Sequence, residues 1–181
     1  MSRLVLHYDV VSPWSKVAFH TLSLYSSHWS IPLELHPINL GRVMKEAGNQ
    51  PPITVQNKGK WMWKEMERCS DFFGVKLSTP KEFPFNSFPL QCFLRIVERD
   101  HPDCLHSLTT FFYQKVWEDN ATFADLTAIG NVLAGEAGAN SGLSGEQLQG
   151  VLAEAGKKET RTMMNDEAAK LVREGGAFGA P

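Results

Sequence analysis

The sequence has 181 residues, with 18 Lys and Arg against 20 Asp and Glu and a formal net charge of −2. That length fits one ordinary domain, or one domain carrying an insertion, and the balance of charge leaves no polybasic stripe for nucleic acid and no acidic tail. Hydrophobic residues make up 43% and charged residues 21%, which is ordinary globular usage, and no apolar run approaches the roughly 18 residues of a membrane-spanning helix. The N-terminus runs almost at once into a strand-like segment, with no room for a signal or transit peptide, so the expectation is a cytoplasmic, non-secreted chain. Cys69, Cys92 and Cys104 are far apart and form no CxxC pair. A disulfide scaffold or zinc ribbon is therefore not expected, and a reducing compartment is.

Leu4, Leu6 and Tyr8 alternate and predict a first strand over residues 3–8. Asp9 to Pro13 is the turn out of it. Trp14, Val17, Ala18, Leu22 and Tyr25 recur at helical spacing, with Ser12 as N-cap and Pro13 at the first helical position. Leu33 to Ile38 predicts a second short strand, so residues 3–38 make one strand–helix–strand unit. A short helix follows over Arg42–Ala47, and Pro51-Pro52 lies beyond its end because paired prolines cannot continue it. Further helices are predicted over Lys60–Phe73 with Gly74 as a left-handed cap, Ser87–Asp100, Cys104–Glu118, Thr122–Glu136 and Ser144–Ala155. A last helix runs over Lys158–Arg173 and ends at Gly175-Gly176.

The best local site is Ser12-Pro13-Trp14-Ser15, where a strand end feeds a helix start. α/β folds place anionic ligands at such junctions, because unpaired N–H groups point outward there and the helix dipole favours negative charge. Spacing alone leaves two readings of Ser12: a helix cap, or a hydroxyl donor to a bound anion. Asn49 before two prolines reads, by position alone, as a turn residue.

Four segments carry a resemblance. They are Tyr8-Asp9-Val10-Val11-Ser12-Pro13-Trp14-Ser15, Met44 to Pro52, Asn57-Lys58-Gly59-Lys60, and Gly176-Ala177-Phe178-Gly179-Ala180-Pro181. In this order they resemble the kappa-class glutathione transferases and the related 2-hydroxychromene-2-carboxylate isomerases. The resemblance implies an α/β fold class: a thioredoxin-like, DsbA-like βαβ unit carrying a large all-helical insertion, predominantly helical overall. Residues 1–49 and 157–181 would form the thioredoxin-like domain, and 50–156 the insertion. With Ser12 and Ser15 where redox relatives carry Cys-x-x-Cys, thiol–disulfide exchange is not expected at this position.

By the same resemblance, Ser12 donates to the glutathione sulfur, Pro13 and Trp14 line the site, and Asn49 contacts the glycyl end. Ala180 offers backbone to the cysteinyl amide, Pro181 matches a cis-proline, and Ser15 stands where a second hydroxyl would assist. The family has Tyr or Phe more often where Trp14 stands. The magnitudes suffice: lowering a thiol pKa of about 8.5 by two units needs roughly 2.7 kcal/mol. A helix N-terminus supplies about 0.3–1 kcal/mol, up to about 2, and a hydrogen bond to a charged group roughly 1.5–3 kcal/mol. No His–Asp relay marks Ser12 as a nucleophile.

The remaining candidates read as structural. Cys92 lies in an apolar run, and the six histidines show no ligand spacing, so no metal is expected. Trp61, Met62, Trp63 and Met66 form an aromatic and methionine-rich patch, read as core or subunit contact, with a wall of an electrophile site as the other reading. In the family, the cis-proline position opens two further strands and a closing helix, and a Ser-Asp pair there grips the glutamyl end. Since the sequence ends at Pro181, the expectation is a C-terminally truncated chain whose first strand exposes an edge, inviting aggregation or pairing with another chain. The leading expectation is a kappa-type transferase using glutathione as co-substrate against hydrophobic electrophiles. Peroxide reduction is a second activity, and a homodimer and a mitochondrial or peroxisomal address are implied by the family. The alternatives are the glutathione-dependent isomerase and an inactive interaction module.

Overall fold

A computed structural model describes residues 3–135 and 141–180. Strand β1 (Leu4–Tyr8) and strand β2 (Leu33–Pro37) flank helix α1 (Pro13–Trp29). They pair in parallel, with Leu4 opposite Leu33 and Tyr8 opposite Pro37, so α1 is the crossover of one βαβ unit. Then come helix α2 (Leu40–Glu46), a 3-10 turn at Pro52–Thr54, α3 (Gln56–Phe73), α4 (Phe88–Asp100), α5 (Pro102–Trp117), α6 (Leu126–Gly135), α7 (Gly145–Gly156) and α8 (Lys158–Gly175). Among the described residues, the segment between α2 and α8 holds helices and no strand. None of these helices is long and apolar enough to cross a membrane.

Local chemistry sets most of the boundaries. Ser12 is extended at φ −88° and its side chain accepts from Ser15 N, with Pro13 next, as the sequence predicts. Asn39 caps α2 by accepting from Arg42 N at 3.1 Å. Ser144 and Gln147 cap α7 reciprocally. Gly74 and Gly176 end α3 and α8 at φ +65°, a left-handed conformation that glycine adopts without the steric cost a Cβ would bring.

Four helices begin two or more residues earlier or later than the spacing predicts, the first being α2, which starts at Leu40 and not Arg42 because Asn39 caps it. α3 starts at Gln56, not Lys60, because the 3-10 turn after Pro51 hands the chain on without a gap: Val55 N bonds to Pro52 O at 3.1 Å and Gly59 N to Val55 O at 2.9 Å. α5 starts at Pro102, which tolerates a first turn. α6 starts at Leu126, not Thr122, because Asp125 supplies the capping oxygen, accepting from Ala128 N at 2.8 Å. The expected end of α6 at Glu136 lies outside the described residues, as does Pro181.

One buried cluster runs from the sheet into the helices. Leu6, Tyr8 and Leu35 of the sheet join Phe19 of α1, Phe93 and Ile96 of α4, Phe112 and Trp117 of α5, Ile129 of α6 and Val151 of α7. Helix α4 is at the centre, with Leu90 to Leu94, Ile96 and Val97 all buried. A second, smaller cluster of Ile38, Val43 and Ala168 locks α2 to α8. Among the described residues β1 pairs with β2 alone, and Val5 on its other face is 39% exposed.

Candidate functional site

A cleft of about 450 Å³ opens at the C-terminal end of β1. Its walls are the start of α1 (residues 11–14), the start of α2 (39–41), the proline turn (49–53), the aromatic loop 83–88 and the segment 178–180, with Met44, Lys58 and Met62 completing it. It lies at the carboxyl ends of the strands, where open α/β sheets bind ligands.

Ser12 is 5% exposed and forms part of the wall. Its N–H donates to Asp9 O at 2.9 Å, and its Oγ accepts from Ser15 N at 3.2 Å. It is thus a helix cap. A hydroxyl carries two lone pairs and one proton, so capping does not exclude donation to an anion in the cleft.

The cleft brings together Ser12, Pro13, Trp14, Asn49 and Ala180, five residues singled out in the sequence. It does not bring in Ser15, which is fully buried and faces the interior rather than the cleft. Asn49 is engaged across the mouth: its Nδ2 donates to Phe178 O at 2.7 Å, and its Oδ1 accepts from Gln50 N at 2.8 Å. It fastens the proline turn to the segment after α8. Pro181 falls outside the described residues.

The methionine and tryptophan patch of α3 divides. Met62 lines the cleft and Met66 is buried with it. Trp63 packs edge-on against Phe83 of the aromatic loop, with ring centroids 5.3 Å apart. Trp61 points outward at 57% exposure. Phe83 also touches Trp117, whose Nε1 donates to Val10 O at 2.8 Å beside the start of α1.

Three features escaped the sequence reading. Among the described residues Lys58 is the one charged residue lining the cleft, with no Asp, Glu, Arg or His beside it in the wall. It lies within a quoted motif, but only the fold shows that the other charges of α3 face away. The aromatic loop 83–88, with a cis Phe83–Pro84 bond, had no periodic pattern to mark it. Asp9 read as a turn residue, yet it is 1% exposed beneath the cleft floor. Burial pushes its carboxyl up, and hydrogen bonds from Val11, Ser87, Leu40 and Gln91 pull it back.

The cysteines lie elsewhere. None is in a disulfide, and burial pushes the Cys92 thiol up to about 11, which makes it a poor nucleophile. Among the described residues no three His, Cys, Asp or Glu side chains gather as a metal site.

Residues 3–181 match the family described as DSBA-like thioredoxin domain. The chain is 30% identical over 183 residues to glutathione S-transferase kappa 1 of Rattus norvegicus, covering 98% of this chain and 78% of that protein. It is 30% identical over 181 residues to glutathione S-transferase kappa 1 of Homo sapiens, covering 97% of this chain and 77% of that protein. In structure it is similar to 2-hydroxychromene-2-carboxylate isomerase, with a TM-score of 0.76 at 18% identity, over 99% of this chain and 83% of that one.

Proposed function

The chain belongs to the DSBA-like thioredoxin family and, within it, to the kappa-class glutathione S-transferases, and from that membership we propose that its cleft activates glutathione as a thiolate and transfers it to a hydrophobic electrophile. The observation that carries this reading is Ser12 at the N-terminus of α1, in a cleft whose wall, among the described residues, holds one lysine and no carboxylate side chain. Such a wall favours an anion.

In the proposed reaction the Ser12 hydroxyl donates to the glutathione sulfur and stabilises its negative charge together with the end of α1. The thiol proton goes to solvent. The sulfur then attacks an electrophilic carbon, a C–S bond forms, and the leaving group departs with the bonding pair. Lys58 faces a carboxylate of the tripeptide. Trp14, Met44, Met62 and the aromatic loop offer the electrophile an apolar surface. Reduction of a hydroperoxide by two glutathiones, giving alcohol, water and glutathione disulfide, uses the same thiolate. A homodimer, carried over from the family resemblance, belongs to this proposal and is read by analytical ultracentrifugation.

The test is calorimetric titration of glutathione into the full chain and into a Ser12→Ala variant, with ultraviolet absorbance to follow the thiolate. Binding with thiol deprotonation is expected in the wild type. In the variant the bound-thiol pKa rises by about one to two units, since a hydrogen bond to a charged group is lost. Absence of binding by the wild type would favour a non-catalytic interaction module. Conversion of a hydroxychromene carboxylate, with inert standard electrophiles, would favour the isomerase.

A further inference from the structure

The carboxyl of Asp9 receives donors from three different walls of the cleft. Its Oδ1 accepts from Val11 N at 3.1 Å and from Gln91 Nε2 at 2.9 Å, and its Oδ2 accepts from Leu40 N at 3.2 Å. The Ser87 hydroxyl donates to it as well. Val11 adjoins Ser12 at the start of α1, Leu40 opens α2 and Ser87 precedes α4, and all three line the cleft. Gln91 is one turn further along α4 and fully buried. Ser87 holds the N-cap position of α4 without capping it, its hydroxyl being turned to Asp9 instead.

We propose that Asp9 is a positioning residue for the thiolate site: one buried carboxylate clamps the starts of α1, α2 and α4 around Ser12 and so sets the geometry in which the Ser12 hydroxyl meets the sulfur. This rests on the glutathione reading above. The carboxylate suits the task because four donors converge on it. An asparagine offers one acceptor oxygen, and its amide N–H₂ would confront a donor. The main chain makes the link short, since the Asp9 carbonyl accepts from Ser12 N at 2.9 Å. The titratable groups beside Asp9 are the phenols of Tyr8 and Tyr113, whose pKa values its charge raises further and which burial keeps neutral at physiological pH. Among the described residues the cleft wall holds no charged side chain other than Lys58.

The inference has a sign. A negative charge under the site repels the thiolate, so if charge were its only influence, removing it would lower the pKa of bound glutathione. Loss of the clamp does the opposite. The experiment titrates the thiolate absorbance of glutathione bound to the 181-residue wild type and to Asp9→Asn, alongside thermal melts and the pH profile of kcat/KM. In Asp9→Asn the bound-thiol pKa is expected to rise by about one unit and kcat/KM at neutral pH to fall about tenfold, recovering at alkaline pH. A merely structural residue would lower the melting temperature and scale kcat/KM equally at every pH, and that result overturns the inference, as does an unchanged or lowered thiol pKa. Should Asp9→Asn fail to fold, Gln91→Met removes one donor from outside the cleft wall. It is expected to shift the thiol pKa in the same direction, with about a twofold loss of kcat/KM, and an unmoved pKa there counts against the clamp. A wild type that binds no glutathione overturns the transferase reading and this inference together. A wild type with a normal thiolate and an Asp9→Asn variant matching it overturns this inference alone.

Discussion

Ser12 serves the fold and the proposed chemistry with different parts of one hydroxyl, which is why its spacing left two readings open. Its lone pair caps α1 through Ser15 N, and its proton is the proposed donor to sulfur. Lys58 acts at longer range. It is exposed, so its attraction for a carboxylate is screened by salt and worth about 0.2–1 kcal/mol, as for other exposed pairs. Lys58→Met is therefore expected to raise the KM for glutathione about threefold and leave kcat within about twofold. The measurement is steady-state kinetics at low and high salt, and the gap between wild type and variant should close as salt rises. A fall in kcat with KM unchanged would place Lys58 in the chemical step instead.

At the scale of elements, α5 and the sheet meet the cleft from behind. Trp117 is fully buried, and its indole donates to Val10 O at 2.8 Å. Trp117→Phe leaves that carbonyl without its donor and opens space against Phe83, so it is expected to cost about 1–3 kcal/mol in denaturant unfolding. On the opposite face of the sheet, His36 pairs with Glu98 of α4 and stacks on His7, with ring centroids 5.3 Å apart. The hydrogen bond to Glu98 raises the His36 pKa, aided by the charge of Glu98 and Glu34 and opposed by burial and Arg95. His7 is lowered, first by burial and then by His36. A raised folded-state pKa means that the His36 contribution is fully present below the unfolded value of about 6.5 and is lost as pH rises through the folded value. The melting-temperature advantage of wild type over His36→Gln is thus expected to be largest below about pH 6.5 and to shrink as pH rises above it. An advantage that grows with pH would contradict the assignment.

For the whole molecule, a single buried cluster spans both the βαβ unit and the helices between α2 and α8. Shared core residues couple unfolding. Tryptophan fluorescence and far-ultraviolet circular dichroism are therefore expected to report coincident, single denaturation transitions, and separated midpoints would show that the helical segment unfolds by itself. The sequence alone was enough for the βαβ unit, the serine–proline start of α1, the left-handed end at Gly74 and the stop of α8 at Gly175-Gly176, because period, caps and glycine conformations act within a few residues of chain. Its motifs, in their order, were enough for the family. What only tertiary structure decided is which of those residues meet. Ser15 follows Ser12 by three residues yet is turned into the core, Asn49 spends its amide on Phe178 O, and Asp9 is drawn under the floor by donors from Leu40, Ser87 and Gln91. These contacts join segments up to 129 residues apart, and a local pattern carries no information about them, since their partners are set by how α4 and α8 pack on the sheet rather than by the residues' own neighbours.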